Sequence, residues 1–374
     1  MEEEITIVRK KPFKQKISEF FANPKKRLIF IIISGAVLIT AVGTGLYLAS
    51  HSTVQTTNNK PNNNIKKTSY ETKYYSSLDG TEVADQATAD KHPLAVIVEN
   101  HVDARPQAGL DKASIVYEAI AEGGITRFLS IFSSKEADKV GPIRSARTYF
   151  VNWSEGYNAY LAHVGGNYDA LEQIPADGVL DLDQFKYSSP YWRDTSLKRS
   201  TEHTMFSSTI KLRNQANKLG YTTNNTFRQY KFSEPNKNSQ TTIDDSNGTG
   251  TASKPSAASN ITATNIDVKF SSASYDVNFV YDANSNSYKR IISGKAQLDS
   301  ESKAEITPTN IIVMTVKRSP TVTKINEQGW NMDTIGEGIA KIFINGKVID
   351  GKWSKSSKKD REVFYDSNNQ EITF

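Results

Sequence analysis

Between Leu28 and Ala49 the chain runs LIFIIISGAVLITAVGTGLYLA, without a charged residue. As an α-helix rising about 1.5 Å per residue it is roughly 33 Å long, close to the hydrocarbon thickness of a bilayer. Lys25, Lys26 and Arg27 abut its start, and the next charge is Lys60. Cations on one side predict a cytoplasmic N-terminus and an extracytoplasmic remainder, a single-pass protein of the cell membrane. The competing arrangement is a cleaved signal peptide, whose apolar region spans about 7–15 residues and ends in a small-x-small site. This run is longer, and Tyr47 stands where cleavage after Ala49 requires a small residue. The expectation is therefore an uncleaved anchor.

Two polar, aperiodic stretches divide the rest. HSTVQTTNNKPNNNIKKTS begins at His51, and a longer one runs from about Ser233 to Thr264. Neither can bury enough apolar surface to offset the entropy of ordering. The expected organisation is a cytoplasmic tail (1–27), a transmembrane helix (28–50), a disordered stalk (51–69), an α/β domain (70–232), a disordered linker (233–264) and a smaller β-rich domain (265–374). The fold class expected is α+β, led by that transmembrane helix.

Within 70–232 the elements alternate. PLAVIVE from Pro93 is an apolar, β-branched run, read as a buried strand. SIVYEAIA (114–121) and ITRFLSIF (125–132), joined by Glu122-Gly123-Gly124, read as a hairpin. Pro142 is expected in the first turn of a helix covering IRSARTYFVNWSEGY. AYLAHV from Ala159 reads as a strand, with helices at about Tyr168–Ile174 and Thr209–Leu219, the second capped by Gly220. In 265–374 only strand patterns appear, with Asn345-Gly346 as the clearest hairpin signal.

The chain has no cysteine, which excludes disulfides, thiolate metal sites, a cysteine nucleophile and a lipidated N-terminal cysteine. Residues 1–28 hold eight basic and four acidic side chains, so nearly all of the net charge of +5 sits in the tail. The rest is close to neutral, and no nucleic-acid partner is expected. No cofactor is expected, and no histidine spacing predicts a metal site.

The candidate chemistry concentrates in three Gly- or Pro-flanked segments: ARPQAGLDKASIVYE, EGGITRF and VGPIRSARTYF. They carry Arg105, Arg127, Arg144 and Arg147. Arginine suits bidentate capture of carboxylate or phosphate. On one helix, Arg144 and Arg147 would share a face near the N-terminus, where anions are favoured. The alternative is structural pairing with Glu118, Glu122 or Asp169. His163, before Gly165-Gly166, and His203, in RSTEHTMFSS, are candidate general bases, or else hydrogen-bonded, half-buried side chains. Asp169 would help to orient a ligand. Ser145 is read as a helix-start hydrogen-bonding residue. Tyr149, Trp153, Tyr157, Tyr160 and Tyr168 are either sugar-stacking residues or core.

The segments PLAVIVENHVDARPQAGLDKASIVYEAIAEGGITRFLSIF, VGPIRSARTYF and HVGG resemble the YerB-like lipoproteins of bacteria, a domain of unknown function, over about residues 90–215. SYKRIISG and INGKVIDGKW resemble that family's separate C-terminal domain. The resemblance implies an exported, membrane-tethered envelope protein of two domains and supplies no reaction. Two departures stand out. The family's lipobox cysteine is missing, with the Leu28–Ala49 run in its place, and EHTMFSS stands where members more often show a proline-histidine-asparagine run.

Together these readings predict an extracytoplasmic binding protein of the bacterial envelope. Its expected ligand is anionic or sugar-containing, such as peptidoglycan or a wall polymer, or a partner protein of wall synthesis. The rival is a metal-independent hydrolase or transferase acting on an envelope polymer. Convergence of Arg144, Arg147, His163 and His203 in one cleft would support that rival.

Overall fold

The computed structural model describes residues 72–223, 225–233 and 261–374. The predicted tail, the Leu28–Ala49 anchor, the stalk and most of the linker lie outside the described residues. The expected fold class is corrected: strands predominate, and the α-helices have four, eight, ten and ten residues. Among the described residues no helix is long and apolar enough to cross a membrane.

A small hairpin, β1 (Tyr74–Tyr75) with β2 (Glu82–Val83), and one helical turn, α1 (Gln86–Ala89), precede a five-stranded sheet. That sheet contains β3 (Leu94–Glu99), β4 (Ile115–Ile120), β5 (Thr126–Phe132), β6 (Tyr160–His163) and β7 (Leu180–Asp183), in the order β4-β5-β3-β6-β7. Strands β3, β6 and β7 are parallel; β5 and β4 continue the sheet antiparallel. Every residue of β3 is buried, because both faces are covered. Its side chains alternate: Ala95 and Ile97 pack with Tyr149, Phe150 and Trp153 of α2 (Thr148–Glu155) and with Ala170 and Ile174 of α3 (Tyr168–Asp177). Leu94, Val96 and Val98 pack on the other side with Leu212 and Ala216 of α4 (Thr209–Lys218). Asn167 and Ser208 cap α3 and α4 by accepting from backbone N–H groups three residues on.

The helix expected from Pro142 begins only at Thr148. Residues 142–146 are extended instead and serve as a strap. The β3–β6 pairing ends at Val96 and Ala162, and beyond it the strap fills the gap between the two strands. Pro142 O accepts from Glu99 N at 2.8 Å, and Arg144 N donates to Ile97 O at 2.9 Å. On the other side, Arg144 O accepts from Val164 N at 3.1 Å, and Ala146 N donates to Gly165 O at 2.9 Å. A segment that satisfies strand-end groups on both sides cannot also close its own helical hydrogen bonds. Arg144 and Arg147 therefore share no helix face, and Ser145 lies in the strap rather than at a helix start. Ile143 N also donates to Met205 O at 2.7 Å, joining the strap to the β8 (Trp192–Arg193) and β9 (Met205–Phe206) hairpin.

The second region is all β. One antiparallel sheet holds β10 (Asn265–Val268), β11 (Val277–Asp282), β12 (Ser287–Ile292) and β13 (Lys295–Ala296). A second has the order β14-β17-β18-β19, from β14 (Asn310–Met314), β17 (Gly336–Ile344), β18 (Lys347–Lys355) and β19 (Val363–Asp366). The hairpin of β15 (Arg318–Val322) and β16 (Gln328–Met332) lies between β14 and β17 in sequence. Asn345-Gly346 forms the two-residue turn between β17 and β18, which keep register from Ile344–Lys347 to Gly336–Lys355. The described residues of both regions belong to one compact unit. Buried Arg290 on β12 forms a 2.8 Å ion pair with the largely covered Glu118 on β4, and Tyr117 donates to Glu362 at 2.7 Å.

Candidate functional site

The parallel strands β3, β6 and β7 end together at Glu99, His163 and Asp183. Beyond the carboxyl ends of strands in an open sheet, the connecting segments part and leave a crevice. Here a cleft of about 540 Å³ opens there, lined in part by Arg144, Ser145, Gly165, Asp183, Phe185 and Arg193. Its floor is the strap and the Gly165-Gly166 turn. Gly165 has φ +57°, a left-handed conformation that favours glycine, and a Cβ there would stand 3.0 Å from the Phe185 ring, which packs closely over the turn. Phe185 is 75% exposed, an unusual position for a large apolar ring. Gly165 N donates to Asp183 Oδ1 at 2.9 Å, so this carboxylate holds the turn.

Glu99 is the buried hub beneath one wall. Its Oε1 pairs with Arg144 Nε at 3.0 Å, and its Oε2 accepts from His203 Nδ1 at 2.8 Å. Arg144 is thus both ion-paired below and partly open to the cleft. Next to it, Arg127 donates to Ser145 O at 3.0 Å and to Glu122 at 3.1 Å; Arg147 donates to the other oxygen of Glu122 and to Ala146 O. Two guanidinium groups share one carboxylate. Burial pushes the Arg127 guanidinium down to about 10, and the Arg147 charge adds to that shift. Burial opposes ionisation of Glu122 as well, yet the Arg147 hydrogen bond and the Arg127 charge outweigh it and hold Glu122 below its ordinary value.

His163 lies under the floor, fully buried. Its Nδ1 donates to Gly165 O at 2.7 Å, since a carbonyl can only accept, and its Nε2 meets Asp181 Oδ1 at 2.9 Å. Asp181 stays below its ordinary range despite burial, because His163 and Lys186 hydrogen-bond to it. Both ring nitrogens are engaged away from the cleft, so this geometry positions the Gly165 turn.

Of the arginines, histidines and Asp169 singled out in the sequence, only Arg144 lines the cleft itself, beside Ser145 and the Gly165-Gly166 turn. His203 is buried and reaches Arg144 through Glu99, and Arg127 and Arg147 meet at Glu122. Arg105 lies toward the second region: its Nε donates to Asn100 Oδ1 at 3.0 Å, and its guanidinium covers the Tyr275 ring at 5.1 Å. Asp169 occupies the first turn of α3, on the helix that contributes Leu171 to the cleft. Glu118, a candidate partner for these arginines, pairs with Arg290 instead. Tyr149, Trp153, Tyr157 and Tyr160 are core residues. Sequence reasoning missed Glu99, Phe185, Arg193 and Glu202. The one available signal was Phe185 itself, an apolar aromatic between Gln184 and Lys186 in the polar turn that follows LDLD.

Two family models match the chain: the N-terminal domain of a protein family of unknown function, DUF3048, over residues 78–222, and its C-terminal domain over 266–374. The chain belongs to the DUF3048 family. It is 29% identical over 276 residues to the Bacillus subtilis protein named "Putative lipoprotein YerB", covering 72% of this chain and 75% of that one. The crystal structure of YerB from Bacillus subtilis superposes with a TM-score of 0.65 at 27% identity, covering 80% of this chain and 92% of that one. The cleft of this DUF3048 protein falls wholly within the part matched by the N-terminal family model.

Proposed function

We propose that this DUF3048 protein acts at the bacterial cell envelope, outside the cytoplasm, as a binding protein whose cleft takes an anionic or sugar-containing ligand of the wall. The lipoprotein name carried by the YerB relative supports the place. The observation that carries the ligand class is the shared lining of Arg144, Arg193 and the exposed ring of Phe185. An exposed aromatic face packs against the apolar face of a sugar ring. Guanidinium groups beside it supply bidentate donors for a carboxylate or phosphate on the same ligand. Peptidoglycan and its attached anionic polymers present both features. A protein partner of wall synthesis is the second class of occupant.

The test is co-sedimentation of the purified chain with peptidoglycan sacculi, with and without the attached anionic polymer. Phe185→Ala and Arg193→Ala remove exposed side chains and leave the Glu99 hub intact. Each is expected to weaken binding at least tenfold with unchanged thermal unfolding. Absence of sedimentation by the wild-type protein, or binding equal in all three proteins, refutes the proposal. Loss of binding on stripping the polymer assigns the anion as the main determinant; retention assigns the sugar backbone.

A further inference from the structure

Beside the cleft, His101, Asp103 and His203 bring three ligand atoms within 4.8 Å of one another. They come from the turn after β3 and from the turn before β9, distant in sequence and joined only by the fold. The rings of His101 and His203 lie nearly parallel, 4.9 Å apart and 11° between planes. His101 Nδ1 stands 3.6 Å from Asp103 Oδ2. His203 Nε2 stands 3.7 Å from Glu202 Oε1.

We propose that His101, Asp103 and His203 bind a divalent transition-metal ion, of which zinc is the fitting case. The reason lies behind His203. Its Nδ1 meets the buried carboxylate of Glu99 at 2.8 Å, and Glu99 is itself ion-paired with Arg144. A carboxylate on one imidazole nitrogen makes that nitrogen the donor, fixes the ring's orientation and leaves the other nitrogen's lone pair for a metal. A carboxylate–histidine pair of this kind commonly backs metal-ligating histidine. Two imidazoles and a carboxylate suit zinc, at about 2.0–2.2 Å per bond. Donor atoms around such an ion stand roughly 3.4 Å apart, so the group must contract by up to about 1.4 Å. Asp103 has a side chain 70% exposed and His101 one 29% exposed, so the movable donors are the outer two, while His203 is held. Glu202, which also lines the cleft, lies on the Nε2 side of His203 and is available as a further carboxylate donor, and water completes the shell. The cations nearby are engaged elsewhere: Arg144 pairs with Glu99, Arg105 donates to Asn100, and Arg199 donates to the Ala104 and Arg105 carbonyls.

The site is read from geometry that owes nothing to the wall ligand, and its test uses metal alone. Tag-free full-length protein, stripped with a chelator and dialysed, is titrated with zinc sulfate by calorimetry at pH 7.5. One equivalent is expected to bind with saturation. His101→Ala and Asp103→Ala change exposed or half-exposed side chains, and each should weaken zinc binding at least tenfold while the metal-free unfolding temperature stays unchanged. Glu99→Asp, which retracts the carboxylate from His203 while keeping its charge, should weaken binding 10–100-fold. Zinc should also raise the unfolding temperature of the wild-type protein and not that of His101→Ala. No saturable zinc binding by the wild type overturns the site, as does binding of equal strength in His101→Ala and Asp103→Ala.

Discussion

Glu155 shows how one side chain makes this fold sensitive to pH. It closes α2, buried, with Gln173 donating to it at 3.4 Å. Burial pushes its carboxyl up from an ordinary value near 4.5 to about 7, and the Asp177 charge adds to the shift, with Lys358 opposing it. A carboxyl that holds its proton more tightly when folded favours the fold at low pH. That contribution is fully present below about pH 4.5 and is lost as pH rises to about 7. Glu155→Gln keeps the shape and removes the titration. Relative to this variant, wild-type stability should fall by about 1–3 kcal/mol between pH 5 and pH 8, measured by urea unfolding. A stability difference that stays flat with pH would show that Glu155 titrates normally in the fold. At the same scale, His163 differs from His203: both are buried, yet the first has both nitrogens engaged under the cleft floor and the second has one fixed by Glu99.

Among the elements, the strap over 142–146 decides the shape of the cleft. It separates the ends of β3 and β6, presents Arg144 between them and carries Ser145 and Ala146, whose carbonyls hold Arg127 and Arg147. Its entry needs Gly141, with φ +140° and a position where a Cβ would meet Ile143 N and Met205 O at 2.9 Å each. Both contacts are backbone, so neither can turn aside. Gly141→Ala should cost about 2–4 kcal/mol, read as a lower urea midpoint with an unchanged slope. A loss below half a kcal/mol would mean that the strap shifts freely. The same element explains why periodicity misled at this point. TYFVNWSE is helical in pattern and in fact, but the residues before it serve neighbouring strands, and their local preference yields to those bonds.

For the molecule as a whole, the two regions share buried charge. Glu118 accepts from Asn100 and Thr126 on its own side and pairs with Arg290 from the other. Tyr117, Tyr157 and Tyr230 join hydroxyls, and Tyr117 donates to the fully buried Glu362. Separating the regions would leave these groups without partners in a low-dielectric interior, a penalty of several kcal/mol. Residues 72–374 should therefore unfold in one calorimetric transition. Arg290→Ala should lower that transition by about 2–4 kcal/mol without splitting it. Two separate transitions in the wild-type protein would show that the regions unfold independently.

Short-range pattern was enough for the elements whose surroundings are uniform. The unbroken apolar run of β3, the Glu122-Gly123-Gly124 hairpin, the start of α3, the span of α4 and the Asn345-Gly346 turn were legible, because burial period and turn chemistry are local properties; α3 was read only to Ile174 and continues through Pro175 to Asp177. The arginines were legible as residue types suited to anions, but their partners were not. Glu99 meets Arg144 and His203, and Glu122 meets Arg127 and Arg147, only once strand order is set. Chain sequence alone determined which segments could be strands and where acid, base and guanidinium groups were available. Tertiary structure alone decided that β3, β6 and β7 end at one edge, that the strap replaces a helix turn there, and that Phe185 stands exposed over Gly165. The physical reason is that hydrogen bonds and ion pairs between distant segments depend on distances that no local periodicity encodes.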